Sequence, residues 1–425
     1  MIIDKNIHNH LFTIPHIKSF CMNTFSPSRT SLGALCVATL YITTLFIQPL
    51  HAQDNPLSDL RIYGYMQVLG YNQRTNNNIS TPVGTISNTS ERNTFSLQQM
   101  NLFLSKPLGE RFSAFVNLEF SLSYASQRGW GSFSVEEAWA NYNHSEALNV
   151  KAGLLLPTFN NLNELKNRTP LLPYLFRPFV YETSIASLLN AEDFLPERAY
   201  LQFYGSVPLG GLRLDYALHT GNSEKSYISN SNERLPQAAI TGEDTSPFKA
   251  TGGRIGLRNA SETFKVGISG TYDRDNRRDT TFGGPLGMGR QEYLAPLGDV
   301  ERFRVGADLS FSLGNFAFEG EYIGVFHNVT YPTNFRGTLD KTFYYGNLLY
   351  NFTDNFYAYV NYGYLKGDVI TPTDPTANGL DAFGGGLGYR IIDGLVAKTQ
   401  YQLLQTRASD AVRLNFIYFG LSVIF

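Results

Sequence analysis

The chain has 425 residues and a formal net charge of −2, with charged residues at only 16% and aromatics at 14%. Soluble domains usually carry about 25% charged residues, so the composition argues against an ordinary water-soluble protein, a soluble β-sandwich being the alternative, and the lack of basic excess argues against a nucleic-acid partner. A mean hydropathy of −0.19 argues equally against a bundle of membrane helices. The 31 Phe, 26 Tyr and 38 Gly instead suit sheets with one apolar and one wet face.

In chain order, the first feature is an apolar run from Leu32 to Ile47, preceded by Arg29 and followed by Leu50-His51-Ala52. A basic flank, an apolar run and a small residue before a cut form a secretory leader. Residues 1–52 are therefore expected to be a signal peptide with an N-terminal extension, and Met22 is an alternative start that gives a leader of ordinary length. Cys21 and Cys36 leave with that segment, so no disulfide or thiolate chemistry is expected in the mature chain. Residues 53–60 read as a short periplasmic lead-in.

From residue 61 onward one unit repeats: ten to fourteen residues alternating apolar and polar, then a turn. The spacing predicts strands over 61–73, 93–106, 111–124, 132–143, 147–157, 198–208, 211–221, 251–260, 262–273, 301–313, 315–327, 340–352, 355–368, 381–392, 394–407 and 411–425. The segment 111–124 shows the period most clearly. Phe112, Ala114, Val116, Leu118, Phe120, Leu122 and Tyr124 take one face and Ser113, Asn117, Glu119, Ser121 and Ser123 the other, with Phe115 as the exception. Connections alternate between tight turns and long loops at 74–92, 158–197, 222–250, 274–300, 328–339 and 369–380. No helical period is sustained. Long strands, an even count and this alternation of loop lengths predict an all-β transmembrane antiparallel barrel of about 16 strands over 61–425.

Tyr344, Tyr350, Phe352, Phe356, Tyr362 and Tyr364 fall on the outward parity near strand ends, where amphipathic rings settle at lipid–water boundaries. At the C-terminus, Phe419, Leu421, Val423 and Phe425 continue period two to the last residue. A terminal aromatic on such a strand resembles the sorting signal read by outer-membrane barrel insertion machinery.

Loop 158–197 is the candidate functional element, because long irregular loops in compact folds are usually functional. Pro170, Pro173, Pro178 and Pro196 stiffen it, and Leu171, Leu172, Tyr174, Leu175, Phe176 and Phe179 would be poorly placed in water. An inward fold against the barrel wall would bury them. The charged residues of this constriction are then Glu164, Lys166, Arg168, Arg177, Glu182, Glu192 and Asp193. Inward parity places Arg254, Arg258, Lys265, Arg302 and Arg304 on a basic strip that would face the loop's carboxylates and set up a transverse field across the pore. Glu119, Glu137, Glu319 and Glu321 make the wall mixed overall, and weak ion selectivity follows.

Several short stretches resemble the phosphate-selective-type porin family. Lys151-Ala152-Gly153-Leu154-Leu155-Leu156-Pro157-Thr158-Phe159 is similar to that family's Gly-x-Phe-x-x-Pro-Phe stretch. Arg177-Pro178 is similar to the Arg-Pro of its third loop, and Tyr216-Ala217-Leu218-His219-Thr220-Gly221-Asn222 to its strand ending in Asn-Gly. The resemblance implies a homotrimer of 16-stranded barrels with the third loop folded into the pore. The loop is not rich in Arg or Lys, which points from phosphate toward a broader, weakly selective pore for small polar solutes. An anion- or phosphate-selective porin is the alternative, and a structural or adhesive barrel without an open pore is the second. Expected partners are outer-membrane lipid and lipopolysaccharide, small polar solutes and the insertion machinery. No catalytic Ser-His constellation, metal-ligand spacing or cofactor motif is found in the sequence.

Overall fold

The computed structural model describes residues 59–81, 84–125, 129–165, 168–182, 194–196, 198–222, 248–275, 300–330, 336–367, 379–407 and 412–425. The expected leader at 1–52 and the greater part of loops 222–250, 274–300 and 369–380 lie outside those residues.

Sixteen strands run Arg61–Thr81 (β1), Gly84–Pro107 (β2), Phe112–Ala125 (β3), Gly129–Ser145 (β4), Leu148–Leu155 (β5), Ala199–Leu209 (β6), Leu212–Asn222 (β7) and Lys249–Asn259 (β8). They continue as Phe264–Asp275 (β9), Val300–Leu313 (β10), Phe316–Thr330 (β11), Arg336–Asn351 (β12), Phe356–Gly367 (β13), Leu380–Ile392 (β14), Leu395–Thr406 (β15) and Val412–Ile424 (β16). Each pairs antiparallel with the next, and β16 pairs with β1 to close the barrel. Closure gives every strand two neighbours, so no backbone edge is presented to lipid.

The side chains invert the soluble pattern. On β10 the apolar Phe303, Val305 and Leu313 are exposed, Leu313 at 75%, whereas Arg302, Arg304 and Asp308 on the other parity are buried at 1–3%. On β16, Ile417 and Phe419 are exposed and Phe416, Tyr418 and Ser422 are buried. An apolar outside on a closed barrel is the face a bilayer solvates. The outward aromatics form two groups. Tyr344 packs with Tyr362 and Tyr364 at 6.2 and 5.2 Å, and Phe352 with Tyr350 and Phe356 at 4.9 and 5.3 Å.

Tight turns join strands at one end. In the β10–β11 turn Gly314 adopts φ 57°, a conformation costly for any residue with a Cβ. The other end differs from expectation at two places. Residues 74–92 are not an open loop: β1 and β2 stay in register from Arg74↔Glu91 to Thr81↔Gly84. Likewise β11 and β12 extend into 328–339, pairing Thr330 with Arg336. Beyond the apolar belt the outward face need not be greasy. Asn, Ser and Thr then occupy both parities, and the alternation that marks a strand disappears although the pairing continues.

Phe115, the odd residue of β3, belongs to an inward aromatic row. Tyr65, Phe103, Phe115 and Trp139 lie on β1, β2, β3 and β4 with successive centroids 5.3, 5.6 and 4.9 Å apart. Phe115 and Trp139 are directly opposed and the other two pairs are diagonal, and cross-strand aromatic pairs of this kind stabilise neighbouring strands by roughly 0.5–1 kcal/mol each.

Candidate functional site

The segment between β5 and β6 leaves the wall after Leu155, just past a distortion at Gly153. Its φ is 129°, and a Cβ there would collide with the Ala138 carbonyl and the Trp139 backbone of β4. The β5–β6 register breaks at the same point, between Ala152 and Leu155. From there the chain runs inward.

Its hydrogen bonds reach strands all round the barrel, which only a segment inside the lumen can do. The Asn160 N–H donates to Ser269 Oγ on β9 at 2.9 Å. The N–H groups of Asn161 and Leu162 donate to Glu321 Oε1 on β11 at 3.0 and 2.7 Å, and the Tyr181 hydroxyl to Glu321 Oε2 at 2.6 Å. Lys398 Nζ on β15 donates to the carbonyls of Pro170 and Leu172 at 3.0 and 2.5 Å. Gln400 Oε1 accepts from the N–H groups of Leu175 and Phe176 at 2.8 and 2.7 Å. On β2, Gln98 donates to the Leu175 carbonyl and Gln99 accepts from the Thr169 hydroxyl. Tyr357 on β13 donates to the Pro173 carbonyl at 3.0 Å.

Apolar packing completes the docking. Phe176 stacks on Phe416 at 6.0 Å and 27°, and Phe179 meets Phe343 edge-on at 5.2 Å and 82°. Leu162, Tyr174, Leu175, Phe176, Phe179 and Val180 form one buried cluster with the inward residues of β11–β16. Full burial of such side chains contributes about 1.5–3 kcal/mol each. Burial raises the phenols of Tyr174 and Tyr181 well above their ordinary range, with Glu319 and Glu321 adding to it, so both stay protonated and serve as donors.

Beside the docked segment lies a cavity of about 480 Å³. Thr158, Asn161 and Glu164 of the inward segment form one side, and residues of β5, β6, β7, β8 and β9 the other. Its charged lining balances: Lys151, Arg254, Arg258 and Lys265 against Glu146, Glu164, Asp215 and Glu262. The three cations of β8 and β9 are already paired. Arg254 holds Asp308 through two bonds at 2.5 and 2.8 Å. Arg258 binds Asp215 at 2.7 Å and also contacts Glu262. Lys265 holds Glu262 at 2.9 Å. The hydrogen bond from Lys265, its charge and that of Arg258 hold the Glu262 carboxyl below the usual carboxylate range.

The structure distributes the sequence-derived residues over several environments. Glu164, Arg254, Arg258 and Lys265 line the cavity. Arg302 and Arg304 do not line it: they are buried at 1–2%, Arg302 against Asp273 at 3.2 Å and Arg304 toward Thr271 at 3.4 Å. Arg177 and Glu182, 3.5 Å apart and almost fully buried, brace the segment from within. Arg168 lies over the Phe103 ring at 5.9 Å. Lys166, Glu192 and Asp193 lie outside the described residues. Arg254 and Arg258 of β8 and Lys265 of β9 thus pair with Asp308, Asp215 and Glu262, Arg254 also donates to Asn161 of the inward segment at 3.1 Å, and Glu319 and Glu321 are taken up in docking that segment.

Several residues that shape this interior were not singled out from sequence: Lys398, Gln400, Phe343, Tyr345, Tyr357, Tyr359, Phe416 and Tyr418. Their signal was available. In β12, β13 and β16 both parities carry large apolar or aromatic residues, so the inner face of those strands must be covered by something. Among the described residues no group of three His, Cys, Asp or Glu side chains converges as a metal would need.

No protein-family model matches the chain, and no curated protein matches it. Solved structures share the fold. The outer membrane channel DcaP of Acinetobacter baumannii aligns at 12% identity and a TM-score of 0.57, over 86% of this chain and 97% of that one. An anion-selective porin from Comamonas acidovorans aligns at 12% and 0.54, over 86% and 99%. A trimer form of OmpT, an outer membrane protein of Vibrio cholerae, aligns at 11% and 0.50, over 87% and 100%. The fold is therefore the 16-stranded antiparallel barrel of bacterial porins.

Proposed function

We propose that the chain is a porin of the Gram-negative outer membrane, through which small polar solutes and ions diffuse passively with weak selectivity. The observation that carries this reading is the division of the lumen. The inward segment is fastened to one side, while the other keeps a polar cavity whose formal charges balance. A pore of either strong preference needs an excess of one sign at its narrowest part. Here the cations of β8 and β9 are matched by wall carboxylates, which weakens the phosphate- or anion-selective alternative.

The homotrimer, the leader at 1–52 and reading of Phe425, Val423, Leu421 and Phe419 by insertion machinery belong to the same proposal. The outward exposure of Phe419 and Phe425 supports the last of these. The porins of the same fold support the outer-membrane assignment.

Insertion of the purified barrel into planar bilayers tests the function. The expected result is a stable open conductance in potassium chloride, with a reversal potential near zero under a salt gradient. Absence of current, as a purely structural barrel would give, overturns the proposal. A large reversal potential of the anion-selective sign replaces it with the alternative.

A further inference from the structure

The charges lining the cavity are not all matched. Arg254, Arg258, Lys265, Asp215 and Glu262 are held in the ion pairs described above, and Glu146 is held by Arg213. Two groups stand apart. Among the described residues, neither the Lys151 ammonium nor the Glu164 carboxylate has an ion-pair or hydrogen-bond partner. One projects from the barrel wall and the other from the inward segment, and their signs are opposite.

Both are placed by their surroundings. Lys151 Nζ lies over two rings, 4.8 Å from the Trp139 centroid and 4.9 Å from that of Tyr204. Trp139 is itself fixed: it stacks on Phe115 at 4.9 Å and donates its indole N–H to Glu137 at 3.3 Å. Tyr204 donates to Asn141 at 2.9 Å. Two aromatic faces steady an ammonium without cancelling its charge as a carboxylate would. Glu164 is half-buried, follows a docked stretch and acts electrostatically on the same Tyr204. A steadied cation and a partly desolvated anion, each without an ion-pair partner among the described residues, favour a solute that supplies the missing charges.

We infer that Lys151 and Glu164 form a binding subsite for small zwitterions of the α-amino acid type, the solute's carboxylate meeting Lys151 and its ammonium meeting Glu164. This rests on reading the chain as an open pore. A simple anion satisfies Lys151 but is opposed by Glu164, and a simple cation meets the reverse. Only a solute carrying both charges is favoured at both ends, and the balanced remainder of the lining adds no bias toward either ion.

The test uses the full barrel in proteoliposomes and three solutes of similar size: alanine, propionate and ethylamine. At low concentration alanine uptake should exceed that of either singly charged solute by roughly fivefold, the scale of one well-placed charge contact. Lys151→Met and Glu164→Gln should each bring that ratio close to one. The first should raise ethylamine relative to propionate, and the second the reverse. The exchange Lys151→Glu with Glu164→Lys should restore the alanine advantage, since it preserves the charge pair. If a single variant fails to insert, the wild-type ratios and the exchange variant decide. A wild-type barrel that conducts potassium chloride but treats the three solutes alike overturns this inference alone, as does an exchange variant without the advantage. A barrel that carries no current overturns the pore reading beneath it.

Discussion

The two sides of the lumen are built on different chemistry. Along β11–β16 the inward parity is mostly aromatic, aliphatic or amide, as in Phe343, Tyr359, Gln400 and Phe416, and its charged members Glu319, Glu321 and Lys398 bond to the inward segment that lies against it. Along β5–β9 the inward parity is charged, and the space beside it stays open. The difference shows how one barrel can hold both a fixed insert and a passage. A wall that is to be covered presents rings and backbone-seeking groups. A wall that is to stay wet presents charges, most of them already satisfied by their neighbours.

The largest effect should come from breaking the covered side. Phe176→Ala leaves a void between the insert and Phe416 and Tyr418, at a cost of about 3–5 kcal/mol. Loss of thermal stability of the folded barrel, with a noisier and larger conductance, is the expected readout. An unchanged melting temperature would mean that the insert is not held from this side. Glu321→Ala removes the acceptor of two backbone N–H groups and one hydroxyl, costing about 2–3 kcal/mol. It should loosen the beginning of the insert, seen as faster hydrogen exchange at Asn161 and Leu162.

Changes on the open side should leave stability nearly alone and move selectivity. Arg258→Met removes a cation from two carboxylates, so stability should change by less than about 1 kcal/mol while the reversal potential shifts toward cations. Equal and opposite behaviour, a large stability loss without a selectivity shift, would abolish the distinction between the two walls. The smallest effect concerns acidity. The Glu262 carboxyl titrates lower in the folded barrel than in an unfolded chain. Its ion pairs are therefore fully present above the unfolded value and are lost as pH falls through the folded one. With Glu262 protonated, Lys265 loses its carboxylate partner and Arg258 keeps only Asp215, so the reversal potential should drift toward anions. Glu262→Gln should reproduce that drift at neutral pH and remove its pH dependence.

Much of the barrel was legible because lipid imposes a strict rule on the outward parity. Phe303, Val305, Leu313 and the β16 series obey it, and the tight turns carry their residues openly. Where lipid ends, the rule ends, which is why β1 and β2 run on through 74–92 unseen. The inward segment was legible from its apolar content, because Leu175 and Phe176 cannot face water. The pairing of its charges was not. Whether Arg302 meets the loop or Asp273 depends on the register of β9 against β10, Arg302↔Asp273, and a pattern of parity carries no register. Lys151 could be named within a motif, but its isolation from every carboxylate among the described residues is a fact of three dimensions.

The attachment of the insert has a consequence for how such a channel can change over generations. Ser269, Glu321, Lys398, Gln400 and Tyr357 grip main-chain N–H and carbonyl groups, which every residue but proline supplies in full. These bonds are indifferent to which side chains the gripped residues carry, although Phe159, Leu162 and Asn163 are themselves buried. Substitutions around Asn161 and Glu164 can retune what the passage admits while the scaffold that presents them stays put, so new permeation properties can be explored without renegotiating the fold.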